Sequence, residues 1–264
     1  MNVYDIDSVK VSNENFVPQV PGNEDNGGRT VDGISVLIPL YNGIEYLEQS
    51  ARSVIQQTYK SWQLIIGING YALNSEIEQQ AKTIIENLDP DKKYDVLVKH
   101  YDTQGKPNTM NAMVADCKYG YIAILDVDDY WIPDKLELQV PYLSSYDVVG
   151  GKCEYFGEKS GSPPIPVGDF ALFHNIFDYN PIINSSAIIR KQDAFWDDVN
   201  YVRPIVGLDD YSMWFKLYYL KKKFYNVDKI LCYHRIHNES AFNFSNNDKV
   251  NELKRLWGEY FRSH

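Results

Sequence analysis

A short apolar run that stops in a knot of acid constrains this chain more than any other feature. Residues 121–125, Tyr-Ile-Ala-Ile-Leu, are followed at once by Asp126, Asp128 and Asp129. An unbroken apolar pentamer reads as a strand buried on both faces, the kind used by parallel sheets in α/β proteins. Its carboxylates then fall at the C-terminal edge of the sheet, where open α/β sheets bind ligands. Three like charges this close repel, and a bound cation relieves them; oxygen ligands of this type suit magnesium or manganese that also grips substrate phosphates. A calcium loop counted from Asp126 to Glu137 fails, because Trp131 takes the sixth position, where the turn requires glycine. Asp134 and Glu137 read instead as the cap and capping box of the next helix.

The stretch before this strand alternates in strand and helix periods. Residues 34–40 and 63–68 read as buried strands, and Leu47, Ala51, Val54 and Ile55 between them fall on one helical face. That pattern makes a strand-helix-strand unit with a parallel crossover. Ser75 and Glu78 form a capping box for a second helix with Ile77, Ala81, Ile84, Ile85 and Leu88 on one side, ended by Asp89-Pro90. A third strand is expected over 94–99 and a third helix over 108–117, striped by Met110, Met113, Val114 and Cys117. Beyond the acidic turn, 146–156 and 186–190 read as strands of a mixed sheet. The Gly- and Pro-rich 157–168 between them is a candidate lid or acceptor-binding loop. Asp209 opens a helix expected to reach residue 221, with Met213, Trp214, Leu217 and Leu220 buried. In 248–264, Leu253, Leu256, Trp257, Tyr260 and Phe261 share a face that packs on the domain, with a homodimer contact or a membrane-surface contact as the other uses of such a face.

Composition narrows the partners. The formal charge of −10 argues against nucleic acid, whose phosphates are met by Lys and Arg, and against acidic lipid surfaces. No apolar run approaches the ~20 residues of a membrane span, and Asp5 and Asp7 with no apolar segment exclude a signal peptide, so no transmembrane segment and a cytoplasmic location are expected. Cys117, Cys153 and Cys232 have neither disulfide-scaffold nor zinc spacing and read as small core residues. The Asn-x-Ser triplets at Asn184, Asn238 and Asn243 mark glycosylation only in a secreted chain.

Four ordered segments carry a resemblance. LDVDDYWIPDKLE (125–137) resembles the Asp-x-Asp region of family 2 glycosyltransferases of the GT-A fold, inverting enzymes that use nucleotide-diphospho-sugars. ISVLIPLYNGIEYLEQSARSVIQQTYKSWQLII (34–66) is similar to the family's opening strand, Pro-x-Tyr-Asn turn, first helix and second strand. GLDDYSMWFKL (207–217) resembles the acidic pair opening the helix of the catalytic base, and YHRIHNES (233–240) the late Arg-x-His-x-x-Ser element. The resemblance implies an α/β GT-A fold: a Rossmann-like nucleotide-binding half with a mostly parallel central sheet, joined to a smaller mixed-sheet acceptor half. The chain then divides into a polar extension (1–33), a glycosyltransferase domain (34–240, with a nucleotide-sugar half over 34–130 and an acceptor half over 131–240) and a C-terminal amphipathic helix (241–264).

Implied with it is a metal-dependent transfer from a nucleotide-sugar donor, a UDP-sugar favoured, to a hydroxyl acceptor such as a glycan. Asp128 would be the direct metal ligand, with Asp126 nearer the ribose and base or sharing the metal, and Asp129 orienting its neighbours. His237 is the candidate further ligand, and its imidazole favours Mn2+ over Mg2+. The alternatives are that His237 only hydrogen-bonds in the core or that His234 is the ligand. Asp210 is the implied general base; its neighbour Asp209 would raise its proton affinity, although either acid also suits a helix N-terminus. Donor contacts are expected from Pro39, Tyr41 and Asn42, and from Lys106 and Asn111 in QGKPNTMN (104–111), similar to the family's Gly-x-x-x-Ala-x-Asn region. Where many relatives carry Asp-Asp-Gly-Ser after the second strand, this chain has Ile68, Asn69, Gly70 and Tyr71, so Asn69 replaces an acid with an amide that both donates and accepts. That departure keeps open a non-catalytic relative that binds nucleotide-sugar or glycan. A nucleotidyltransferase lacks its glycine-rich phosphate loop here. Phe170, Phe173, Phe177 and Tyr179 either stack on sugar faces or pack the core.

Overall fold

The computed structural model describes residues 30–170, 175–237 and 247–264. Most of the N-terminal extension, whose sequence reads as one strand near Val9 to Val11, lies outside them, as do Phe173, Asn238, Ser240 and Asn243.

Strands β1 (Ile34–Leu40) and β2 (Trp62–Ile68) are buried at every position, as an apolar run flanked by helices must be. With β3 (Val96–His100) and β4 (Tyr121–Ile124) they form a parallel block, β1 lying between β2 and β4. Helices α1 (Leu47–Ile55), α2 (Glu76–Leu88) and α3 (Lys106–Met113) make the crossovers. Chain order runs outward from β1 through β2 to β3 and then returns to the other side of β1 with β4. The reversal is a topological switch point, so the loops after β1 and β4 open a crevice at the C-terminal edge.

The second half of the chain does not form a sheet of its own. Strand β8 (Ile188–Arg190) pairs antiparallel with β4 on one side and with β6 (Val148–Gly157) on the other. Next come β9 (Phe224–Ile236), parallel to β6, and β5 (Tyr130–Trp131) and β7 (Gly168–Asp169), both antiparallel to β9. The result is one mixed sheet in the order β3-β2-β1-β4-β8-β6-β9-β5. Side chains alternate between its faces: Leu37, Ile65, Ile122 and Ile124 join one core cluster, Val36, Ile38, Leu64, Ile66 and Ala123 the other. The second cluster lies under α1, α2 and α4 (Lys135–Leu143), the first under α3, α5 (Asp209–Tyr219) and α6 (Asn247–Ser263).

Several local expectations change. Asp134 stands at the N-cap of α4 without a side-chain cap bond, and Glu137 accepts from the Thr58 hydroxyl, so no capping box forms. At α2 the Ser75 hydroxyl does cap Glu78 N–H, but Glu78 reaches back to Asn74 N–H. Strand β3 starts at Val96 because Asp89 takes the N–H groups of Lys93 and Tyr94 and closes a turn there. Helix α3 starts at Lys106, where Pro107 suits a first turn, and tightens into a 3-10 turn after Met113. Helix α5 stops at Tyr219, and Lys221 takes a left-handed φ of 58°. Residues 184–186 form a 3-10 turn ahead of β8.

The apolar face of α6 packs on its own chain: Trp257 stacks on Phe215 at 5.8 Å and donates to the Ser212 hydroxyl at 3.3 Å. Phe170 packs on Tyr218 and Phe224, and Phe177 on Phe215 and Phe261, so both belong to the core and not to a sugar-stacking surface. All three cysteines are buried and free, although the pairing of β6 with β9 sets Cys153 opposite Cys232. The 157–168 loop is tied to β6 by a bridge between Gly161 and Tyr155.

Candidate active site

At the crevice the turn after β4 is folded tightly, with Asp129 N–H bonding the Asp126 carbonyl at 3.1 Å. Its three carboxylates diverge. Asp126 faces α3 and the 184–186 turn: Lys106 Nζ meets Oδ1 at 2.5 Å and Asn184 Nδ2 donates to Oδ2 at 3.0 Å. Burial works against the Asp126 charge, but Lys106 and Asn184 together hold its carboxyl below the usual range. Burial also pulls the Lys106 ammonium down, and Asp126, Asp209 and Asp210 more than reverse it, so the lysine stays charged.

Asp129 points inward and is 1% exposed. Its carboxylate accepts from the Ser185 hydroxyl, from His234 Nδ1 at 2.9 Å and from Arg235 N–H at 2.9 Å. His234 responds: burial lowers its proton affinity, Asp129 overrides this, and the imidazole is raised to about 9. His234 is the cation partner of Asp129, its Nδ1 turned to that carboxylate.

Asp128 is left facing the crevice, and His237 Nε2 lies 3.0 Å from its Oδ2. Burial and the charges of Asp129 and Asp126 raise the Asp128 carboxyl, with His237 opposing them. Strand β9 delivers this histidine from 109 residues away. Arg235 backs the turn, its Nε donating to the Asp128 carbonyl at 3.0 Å while its guanidinium lies 4.3 Å from the Tyr46 and Phe156 ring centres. The pair sets one oxygen and one nitrogen donor side by side. Among the described residues no three or more His, Cys, Asp or Glu side chains are arranged so as to hold a metal ion by themselves. Such a two-ligand set fits a divalent ion that takes the rest of its shell from substrate phosphates, the usual habit of magnesium and manganese at phosphate sites.

Asp209 and Asp210 open α5 close enough to Lys106 to share its charge. Asp210 Oδ2 accepts from Asn180 Nδ2 at 3.2 Å, and burial together with Asp209 lifts its carboxyl to about 6 against the pull of Lys106. Donor-side candidates lie at the rim. Pro39 ends inside β1, Asn42 is exposed, and Tyr41 is 56% exposed, 5.8 Å from the Tyr71 ring. Asn69 is 2% exposed, so its amide sits behind that rim. Asn111 has another employment: its amide closes a two-way pairing with the backbone of Trp196, donating to the carbonyl at 3.0 Å and accepting from N–H at 2.8 Å. The sequence reading missed Asn180, Asn184 and Ser185 as partners of the acids. Asn184 stands in the sequence as a glycosylation triplet at the end of a segment, 157–184, expected to bind the acceptor, and nothing local marks the 3-10 turn that brings it to Asp126.

Comparisons with known proteins bear on the family and the fold. The pattern described as Glycosyl transferase family 2 matches residues 35–199. A "UDP-Glc:alpha-D-GlcNAc-diphosphoundecaprenol beta-1,3-glucosyltransferase", WfaP of Escherichia coli, is 24% identical over 77% of this chain and 77% of its own length. An uncharacterized glycosyltransferase of Rickettsia prowazekii is 24% identical over 87% of this chain and 71% of its own. Among solved structures, S. aureus TarS 1-349 in complex with UDP-GlcNAc superposes with a TM-score of 0.64 at 17% identity over 86% of this chain, which spans 66% of TarS 1-349. The mannosyltransferase PcManGT from Pyrobaculum calidifontis, in complex with GDP-Man and Mn2+, has a TM-score of 0.58 at 10% identity over 88% of this chain and 73% of its own. Those likenesses show a shared α/β fold, and the family match takes in well over half of the sequence, from β1 to the segment before α5: the chain belongs to glycosyl transferase family 2.

Proposed function

We propose that this protein transfers a sugar from a uridine-diphosphate donor to a hydroxyl of a glycan acceptor, inverting the anomeric centre in one displacement. The observation that carries the reading is the convergence, at one crevice, of the Asp128–His237 pair and of Asp210, a carboxyl lifted to about 6. The UDP-glucose donor in the name of WfaP and the UDP-GlcNAc bound by TarS favour uridine over other bases. The diphosphoundecaprenol-linked acceptor of WfaP favours a glycan under assembly.

In this reading Asp210 takes the proton from the acceptor hydroxyl as it attacks, since a base works best with a proton affinity near the ambient pH. Asp209 sustains that affinity. Lys106 turns its charge to the departing diphosphate, an electrostatic stabilisation of the kind that dominates such transfers. Asp128 and His237 would hold a divalent ion, manganese suiting the imidazole better than magnesium. Bound there, such an ion neutralises charge on the leaving group. Tyr41 and Asn42 line the entry of the nucleotide, and Asn69, placed behind them, meets the base only through local movement. No helix among the described residues is long and apolar enough to cross a membrane.

Calorimetric titration of UDP, with and without Mn2+, into the wild type and Asp128→Ala tests the reading. Binding by the wild type that strengthens with Mn2+ and loses that gain in Asp128→Ala supports it. Metal-independent binding, identical in both proteins, sinks the metal-dependent transfer and leaves a nucleotide-sugar binder.

A further inference from the structure

Three strands end level at the rim of the crevice. Leu40 of β1 pairs with Ile68 of β2, and Ile68 with His100 of β3. Side chains tie together the segments that leave these ends. His100 Nε2 donates to the Tyr71 carbonyl at 2.7 Å, and the Tyr71 hydroxyl donates to the Tyr41 carbonyl at 2.6 Å. A histidine at the end of β3 therefore fixes the loop after β2, and that loop fixes the turn after β1. Between them Gly70 takes a φ of 75°, and a Cβ there would lie 2.5 Å from the Tyr41 ring. Glycine alone combines that backbone with so close an approach. The Tyr41 ring rests on the Gly70 backbone and tilts toward Tyr71, ring centres 5.8 Å apart, with more than half of the residue open to solvent.

The clasp between Tyr71 and Tyr41 does little for the core. It lies at the surface, where water replaces a lost hydrogen-bond partner. What it supplies is order in an exposed turn that would otherwise keep its conformational freedom. An ordered aromatic face left open to solvent is a surface on which a nucleobase stacks.

The place of this face on the sheet edge decides which part of a ligand meets it. The turn that carries Tyr41 leans on the acidic turn: a Cβ at Gly43 would lie 3.2 Å from Val127 Cγ1, and the Tyr46 ring is 5.7 Å from that of His237. Outward from the strand that ends in Asp128, the edge runs β4, β1, β2, β3. A nucleotide with its diphosphate at Asp128, laid along this edge, brings its base over the ends of β1 and β2, one to two strand spacings or about 5–10 Å away. We propose that Tyr71 and His100 are positioning residues for the nucleotide base: they hold the Tyr41 ring as its stacking platform, His100 acting through Tyr71 and Tyr71 through Tyr41. This rests on the uridine-diphosphate reading given above.

The test is calorimetric titration of UDP and of pyrophosphate, each with Mn2+, into the wild type, Tyr71→Phe, His100→Leu, His100→Gln, Tyr41→Ala and the double variant Tyr41→Ala/Tyr71→Phe. Loss of one hydrogen bond of the clasp predicts a UDP affinity lowered roughly three- to tenfold in Tyr71→Phe and in His100→Leu. Pyrophosphate, which has no base, should bind these variants as it binds the wild type, and the melting temperature should hold. Glutamine keeps a side-chain N–H donor, so His100→Gln should stay within about twofold of the wild type. Loss of the ring should cost Tyr41→Ala roughly ten- to a hundredfold. In that background Tyr71→Phe should add nothing, because one residue acts through the other.

Additive losses would make Tyr71 an independent contact and overturn the relay. His100→Gln as weak as His100→Leu would overturn the part given to the histidine. Unchanged UDP affinity in Tyr71→Phe and His100→Leu overturns the proposal alone and leaves the uridine reading standing. Affinities for UDP and pyrophosphate that fall together, with a lower melting temperature, show a structural role and overturn it too. A wild type that binds UDP no more tightly than pyrophosphate overturns the uridine reading, and the proposal falls with it.

Discussion

Asp129 and His234 meet beneath the crevice, Oδ2 to Nδ1 at 2.9 Å, across 105 residues of chain. The same carboxylate accepts Arg235 N–H and the Ser185 hydroxyl, so the turn after β4, strand β9 and the 184–186 turn are fastened at one point. Asp128 can then face His237 because its neighbour is immobilised from behind. The acid that makes no contact with the crevice is the one that sets the direction of the two that do.

Removing this fastening is expected to destabilise the fold. Asp129→Ala leaves an imidazolium, a backbone N–H and a hydroxyl without their acceptor, and breaking a buried pair from one side costs about 3–5 kcal/mol. Urea unfolding at neutral pH measures it. The pair also imposes a pH dependence. His234 holds its proton to about 9 in the folded chain and to about 6.5 when unfolded. Its stabilisation is therefore complete below pH 6.5 and disappears as pH rises through about 9. The difference in unfolding free energy between wild type and His234→Gln should shrink across that window; a difference constant from pH 6 to 10 would contradict the assignment.

Asp210→Asn should lower kcat by roughly a hundredfold to ten-thousandfold while UDP affinity survives, because a general base contributes on that scale. In the wild type kcat/KM is expected to rise with pH through about 6, as the lifted Asp210 carboxyl loses its proton. An acid limb well below pH 5, or full activity in Asp210→Asn, would remove this residue from the chemistry.

His237→Ala should reduce the Mn2+-dependent part of UDP binding by roughly tenfold or more, the scale of one lost charge-assisted contact, and leave the metal-free part unchanged. His234→Gln provides the contrast: it should lower the melting temperature and leave the ratio of affinities with and without Mn2+ in place. If the two variants exchanged these behaviours, the ligand would be His234 after all.

Lys135 is fully buried, its Nζ 2.7 Å from Gln139 Oε1 and 4.0 Å from the Trp131 ring centre. Burial lowers it from 10.5 to about 7, so the folded chain binds fewer protons than the unfolded one between those values. Its contribution to stability therefore rises with pH from about 7 to 10.5, opposite in sign to that of His234. Melting curves of wild type and Lys135→Met across that range should converge as pH increases. Parallel curves would show that the lysine is charged where it sits.

Much of the first half was legible because its information is local. Ile34–Leu40 and Trp62–Ile68 are apolar throughout, and such runs between amphipathic helices have few folds open to them. The acids Asp126, Asp128 and Asp209–Asp210 stood out for the same reason, as charge placed abruptly at the end of an apolar strand or the start of a helix. Strand β9 did not stand out. Its buried and exposed positions lose strict alternation where its register with β6 shifts near Lys152, so no period marks it.

What the sequence determined by itself is which groups exist and which elements carry them: a strand ending in three acids, a helix opening on two, a histidine near the end of the chain. Only the tertiary structure decided which acid faces what. Asp126, Asp128 and Asp129 are chemically identical, and their separation into a lysine-paired, an open and a buried carboxylate depends on Lys106, His237 and His234, which arrive from α3 and β9. Proton affinity and unmet hydrogen-bonding capacity are properties of a surrounding, and these surroundings are assembled from segments 20 to 109 residues apart.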